Sequence, residues 1–279
     1  MLYDIRKISL HLIFEKDNFK KCPFVFLFGM SRDRWRVLKN YKTSINKIKK
    51  LPKLFDVYPI NVARNIGRLG KTTELFLSGD IENYASYRYE SKVSKLANQL
   101  LLKDKKRAVL VHRRFEIDNN ITIPRTKYEL EKLYINKKSF VFHTFFYIQG
   151  HYIPGLNKWF KVPENYVNTS IFNIINYTQP DWEPQFVGDD RVPYHDERFP
   201  YRIRSNTHLA HIMCHQQFKF IILNDVFTIH EGIKRGYKKY EETAANTSLT
   251  STRKIIFHFN DFLKKKYPHM SGVCPRLRI

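Results

Sequence analysis

Apolar runs alternate with amphipathic stretches along most of the chain, and each change of period marks an element. Ile8 to Phe14 (ISLHLIF) reads as a buried strand, and Trp35 to Lys53 as a basic, helix-compatible stretch interrupted by Pro52. Tyr58-Pro59-Ile60 opens a helix, with proline in the first turn where its missing N–H is harmless. Glu74 to Ser78 is a short apolar strand ending in Gly79-Asp80. Lys92 to Leu102 is an amphipathic helix, and Arg107 to His112 another buried strand. The spacing then predicts a helix over Pro124 to Leu133, an aromatic-rich strand over Phe140 to Tyr147, and loops with short elements from Gly150 to Tyr177. A strand over Trp182 to Val187, a helix over His208 to Gln217, two short strands within Phe218 to His230 and a basic helix over Ser251 to Tyr267 complete the pattern. Short apolar strands alternating with helices predict an α/β layered fold.

Composition narrows the class. The chain has 279 residues, 43% hydrophobic and 27% charged, which is a globular balance. Lys and Arg number 49 against 26 Asp and Glu, a formal charge of +23. That excess favours anionic partners: nucleic acid, an acidic membrane surface, or a polyanionic small molecule such as a nucleotide sugar. No RNP, KH or zinc-finger pattern is present, and the basic residues are spread along the whole chain. Cys22, Cys214 and Cys274 form no Cys-x-x-Cys pair, so they allow one disulfide plus one thiol and leave the compartment open. Sequons stand at Asn120, Asn168, Asn176 and Asn246. No apolar run near the start approaches the roughly 20 residues that cross a bilayer.

Four groups of residues carry candidate chemistry. Asp80-Ile81-Glu82 follows an apolar strand, where ligands gather in open α/β sheets. Carboxylates two apart in an extended segment can face one divalent ion, and an ordinary acidic turn has the same residues. His208, His211 and His215 share one helical face, but a fourth ligand and a His-Glu-x-x-His pattern are missing, so zinc is not assigned. Trp182-Glu183-Pro184 and Pro193 to Phe199, including Asp196, interleave acids with aromatic rings. That suits sugar binding as well as it suits a loop of paired charges. Asn61, Arg64, Asn65 and Arg68 follow Pro59 on a helix; arginine grips phosphate, while the alternative is a solvated polar face.

In order, these pieces resemble glycosyltransferase family 49. The resemblance rests on Tyr58-Pro59-Ile60-Asn61-Val62-Ala63-Arg64-Asn65, on Phe115-Glu116-Ile117, and on Pro124 with Lys127 and Glu129-Leu130. It continues through Pro154 to Pro163-Glu164, Trp182-Glu183-Pro184, Val192-Pro193, Asp196-Glu197-Arg198-Phe199 and Val226 to Gly232. It implies a GT-A-like, Rossmann-related mixed sheet flanked by helices, with an incomplete N-terminal part. By the same likeness residues 1–55 are a divergent remnant of the nucleotide-binding half, 56–250 the transferase core, and 251–279 a basic helix and tail. The resemblance implies a UDP-sugar donor of the glucuronic acid or N-acetylglucosamine type, a glycan or glycoprotein acceptor and a divalent cation, Mn2+. Asp80, Glu82 and His230 fall on its metal positions, Asn61, Arg64 and Asn65 on the donor side, and Asp196 or Glu183 is the base. It also implies a Golgi or secretory-pathway lumen, with membrane attachment only through an anchor outside this sequence. Glu82 departs from the family's second aspartate, and residues 201–206 lack the family's glycine. A catalytically inactive glycan-binding relative and a basic polyanion binder are the alternative readings.

Overall fold

A computed structural model describes residues 58–201, 203–237 and 239–279, with positions 13, 35 and 39–43. The expected strand at Ile8 to Phe14 lies outside the described residues; within the Trp35 to Lys53 stretch, positions 35 and 39–43 are helical. Helix α1 (Ile60–Leu69) starts where Pro59 directs it, and strand β1 (Leu75–Ser78) delivers Gly79-Asp80. A two-residue strand β2 (Tyr84–Ala85) and helix α2 (Tyr89–Ala97) lead into β3 (Ala108–Ile117). Helix α3 (Lys127–Ile135) starts later than the sequence suggests, because Thr126 and Glu129 form a reciprocal capping box. Then come β4 (Ser139–Val141), α4 (Leu156–Lys161), β5 (Ile171–Ile175), β6 (Phe186–Asp189), α5 (Thr207–His215), β7 (Lys219–Glu231) and α6 (Lys239–Lys266).

The seven strands form one mixed sheet of order β1-β6-β3-β7-β2, with β4 on β3 and β5 on β7. Only β3 and β7 run parallel; the remaining pairs are antiparallel. Alternation sorts β3 by face. Ala108 and Leu110 pack with Val93 and Ala97 of α2, whereas Val109 and Val111 pack with Leu209, Ala210 and Met213 of α5. Further along, Phe115 and Ile117 meet Leu130, Trp159 and Phe160 of α3 and α4. Trp159 is fully buried, and a side chain of that class contributes roughly 3 kcal/mol or more through burial and packing. The fold is therefore α/β, a mixed sheet with helices on both faces and GT-A-like.

Several other elements differ from the sequence reading: β3 runs on to Ile117 instead of ending at His112, and four more change in kind or extent. Strand character stops at Val141 instead of running to Tyr147, because His143 takes a left-handed conformation (φ 57°) and the Thr144 and Phe146 amides bond back to Val141 and His143. Residues 182–185 are a loop, and β6 begins only at Phe186. Phe218 to His230 is one long strand: Asn224 and Asp225, the polar break in its pattern, are buried and bonded. Asn224 takes the Lys127 ammonium, and Asp225 takes the backbone amides of Asn165 and Ser170. The last helix starts at Lys239, twelve residues before Ser251, and runs through position 250 without a break.

The chain's C-terminal strap is fixed covalently. Cys214 on α5 is joined to Cys274, and Leu277 packs with Phe199, Ile256, Phe259 and Leu263. Cys22 lies outside the described residues.

Candidate active site

The strand ends gather the chemistry. Since β1 and β3 both pair antiparallel with β6, the loop entering β6 (Glu183-Pro184-Gln185) lies beside Gly79-Asp80 leaving β1. On β3 the even positions His112, Arg114 and Glu116 continue the face that α2 covers. In β7, Thr228 and His230 stand opposite Arg114 and Glu116. An apolar face thus turns polar past Leu110, and loops cover that polar part.

Arg114, 7% exposed, organises the turn after β1. Its Nη2 donates to Asp80 Oδ2 at 2.7 Å and its Nε to Asn83 Oδ1 at 3.2 Å, and its guanidinium lies 3.5 Å from the centre of the Phe142 ring. Gln185 Nε2 donates to the same Asp80 oxygen at 3.3 Å. Burial lowers the arginine's pKa, and Asp80, Glu82 and Glu183 oppose that fall. Arg114 carries no sequence motif; the signal for it was the period-two polar positions within an apolar strand.

Of the residues on α1, Asn61 and Asn65 are spent on protein. Asn61 Nδ2 donates to the carbonyls of Asp196 (3.3 Å) and Phe199 (3.1 Å). Asn65 Nδ2 donates to His195 O and to Glu197 Oε1, both at 2.9 Å, while Asn65 Oδ1 accepts the His195 amide at 2.9 Å. Arg68 donates to Val192 O and Pro193 O, sandwiched between Phe76 and Tyr194. Asn61, Asn65 and Arg68 are thus buried, not solvated, and clamp the loop that carries Asp196. Arg64 belongs partly to this clamp, through Asn61 Oδ1 (3.0 Å) and Ser205 O (2.7 Å). Burial lowers its pKa, and the charges of Asp80 and Glu183 are the leading opposing influences.

The two carboxylates nominated as base occupy different surroundings. Asp196 is chelated by Arg198, with Nη2 at 2.6 Å and Nε at 2.9 Å. Burial works against its ionised form, but the Arg198 bonds prevail and hold it below the usual range. Glu183 is half-buried and makes one side-chain hydrogen bond, accepted from Thr207 Oγ1 at 2.8 Å. Burial raises its pKa against the pull of that bond and of Arg64, Arg204 and Arg114. Arg204, which bonds Asp181 (2.6 Å) and Tyr147 (2.7 Å), completes the wall.

His230 and Glu82 line one open cleft of about 310 Å3, together with Ile81, Asn83, Tyr84 and Glu231. His230 Nδ1 lies 3.2 Å from Gly232 O, and its ring meets Phe142 edge-on. Asp80 is nearby, since both it and His230 act on His143, whose pKa burial lowers to about 3. Among the described residues, however, no three His, Cys, Asp or Glu side chains are grouped as a metal site. Glu82 and His230 suit a divalent cation, and Asp80 would have to exchange Arg114 for it.

The three histidines of α5 are turned inward. His208 Nε2 accepts the Asp196 amide (2.9 Å), His211 lies 3.0 Å from both Pro180 O and Pro275 O, and His215 Nδ1 is 2.8 Å from His211 O. Lys127 and Glu164, which the family blocks singled out, are structural. The ammonium donates to Trp159 O, Val162 O and Asn224 Oδ1, and Glu164 accepts the Lys127 amide.

A mixed sheet carrying a polar cleft at its strand ends defines a GT-A-like α/β protein. The profile of the family described as "Glycosyl-transferase for dystroglycan" matches residues 4–268, and the chain belongs to that family. It is 26% identical over 219 residues to beta-1,4-glucuronyltransferase 1 of Homo sapiens, covering 78% of this chain and 50% of that protein. Against the Danio rerio protein of the same name it is 27% identical over 261 residues, covering 91% and 55%. Against the xylosyl- and glucuronyltransferase LARGE1 of Homo sapiens it is 26% identical over 174 residues, covering 62% and 22%. The chain spans about half the length of the glucuronyltransferases it matches.

Proposed function

We propose that this chain carries the centre of a metal-dependent glycosyltransferase moving a sugar from a UDP-sugar to a glycan acceptor. The names of its relatives point to glucuronic acid as that sugar. The observation that carries the reading is that pairing of β1 with β6 sets the Glu183 loop beside Asp80, whose carboxylate the Arg114 guanidinium holds at 2.7 Å. In this reading Glu183 is the base. Its raised pKa matches a group that takes a proton from an acceptor hydroxyl and later gives it up, while Thr207 fixes the carboxyl's orientation. Arg64 and Arg114 face the negative charge that gathers on the departing diphosphate. Glu82 and His230, with Asp80, would hold Mn2+, which supplies Lewis-acid charge to the leaving group. Asn61 and Asn65 support the donor side indirectly, by fixing the 192–199 loop.

Titrating the full chain with UDP, with and without Mn2+, tests this by thermal shift. At a hundredfold excess over Kd, binding adds about 2.7 kcal/mol, so the melting temperature should rise by several degrees only when both are present. An unmoved curve with both would sink the donor site. A second reading, a glycan-binding relative without turnover, is favoured by the Asp80–Arg114 pair, which ties up one proposed metal ligand. It calls for glycan binding that is indifferent to chelator, with no UDP release.

We also propose a lumenal, secretory-pathway location. The Cys214–Cys274 disulfide supports it, since such bonds persist in oxidising compartments. No helix among the described residues is long and apolar enough to cross a membrane.

A further inference from the structure

The four sequons find no use in the cleft, and the fold treats them very differently. Asn120 sits in the exposed turn after β3 with φ 68°, its side-chain amide makes no hydrogen bond among the described residues, and Thr122 is exposed as well. Asn176 directly follows β5 and is exposed, as is Thr178, while Tyr177 between them is anchored in the core. Its Oδ1 accepts from Lys219 Nζ at 2.8 Å. Glycosylation takes place on the amide nitrogen and leaves that oxygen as an acceptor, so the contact survives. Lys219 opens β7, whereas His230 lies near its other end. A glycan on Asn176 therefore stays clear of the cleft.

The other two are closed. Asn168 is itself half-buried, and the Ser170 hydroxyl that completes the sequon is donated to Asp225 Oδ2 at 3.0 Å. Asn246 is exposed on α6, but its partner Ser248 is buried, and two helical residues apart they face different directions.

We infer that Asn120 and Asn176 carry N-linked glycans, and that Asn168 and Asn246 stay bare. The transfer joins the anomeric carbon of a lipid-diphosphate-linked oligosaccharide to Asn Nδ2. The carbon–oxygen bond to the diphosphate breaks, the lipid diphosphate departs with the bonding pair, and the amide loses one proton. The inference rests on the lumenal location proposed above.

The full chain, isolated from eukaryotic cells that carry its own transcript, is digested without reductant and treated with peptide-N-glycosidase in heavy-oxygen water. Labelled aspartate at positions 120 and 176 alone, alongside a linked Cys214–Cys274 peptide, is the expected result. Asn120→Gln and Asn176→Gln should each remove one glycan's worth of mass, and the double variant both. Unmodified asparagine at 120 and 176 with the disulfide intact overturns the glycan assignment but leaves the compartment standing. Unmodified asparagine with free thiols overturns both. A label at 168 or 246 refutes the selection among the four.

Discussion

Cutting the Cys214–Cys274 bond should cost this fold a large share of its stability. The two residues are 60 positions apart, and closing a loop of that length removes enough unfolded-state entropy to contribute about 4 kcal/mol. For a domain of this size that corresponds to a fall of roughly 8–16 °C in melting temperature. The loss should spread beyond the bond. The strap places Pro275 O at 3.0 Å from His211 Nδ1, and Asn260 of α6 bonds both the amide and the carbonyl of Leu277. Freed, it would unseat α6 and loosen α5, whose Thr207 holds Glu183. Melting curves of the parent with and without reductant, beside a Cys214→Ala/Cys274→Ala double variant, measure this. Reduced parent and variant should melt together, well below the oxidised parent. If all three melt within a degree or two of one another, the loop-closure reasoning is wrong.

Glu183→Gln keeps the Thr207 partner but cannot take a proton. Turnover should fall roughly 10²–10⁴-fold with UDP affinity unchanged, and a fully active variant would exclude Glu183 as base. Asn65→Ala removes three hydrogen bonds from a 5% exposed site, at a cost of roughly 2–4 kcal/mol. Urea denaturation should show it, with faster proteolysis between residues 192 and 205; an unchanged midpoint would deny α1 its clamping role. Acid should destabilise the fold before its carboxylates titrate. Burial lowers His208 to about 4 against roughly 6.5 when unfolded, and its Nε2 accepts the Asp196 amide as only a neutral ring can, so the unfolded chain binds protons first. Stability is complete above the unfolded value and is lost as pH falls from about 6.5 towards 4. At pH 5 the loss from His208 is about 2 kcal/mol. Equal urea midpoints at pH 7 and pH 5 would contradict this.

Much of the framework is local and could be read from the chain. Pro59 sets the start of α1, the apolar run 75–78 makes β1 and delivers Asp80, and alternating strands and helices require a layered α/β fold. These follow from periodicity, turn chemistry and proline geometry, which act over a few residues. The reading failed where a distant partner overrides the local pattern. Asn224 and Asp225 look like a break in a strand until Lys127, Asn165 and Ser170 satisfy them. Phe140 to Tyr147 looks like a strand until the chain turns at His143, leaving Phe142 against Arg114 and His230.

The sequence by itself determined the blocks, their order and the acids, arginines and histidine available to the candidate site. Only the tertiary structure decided how each polar group is employed. It turned the Asn61/Asn65 face into a clamp on carbonyls some 130 positions away, bound Asp196 to Arg198, left Glu183 beside Arg64 and Arg114, and chose Cys214 and Cys274 as the joined pair. The physical reason is that a side chain's role depends on what remains of its hydrogen-bonding capacity and charge after its neighbours are satisfied. Those neighbours are brought by the fold, from parts of the chain that no local pattern connects.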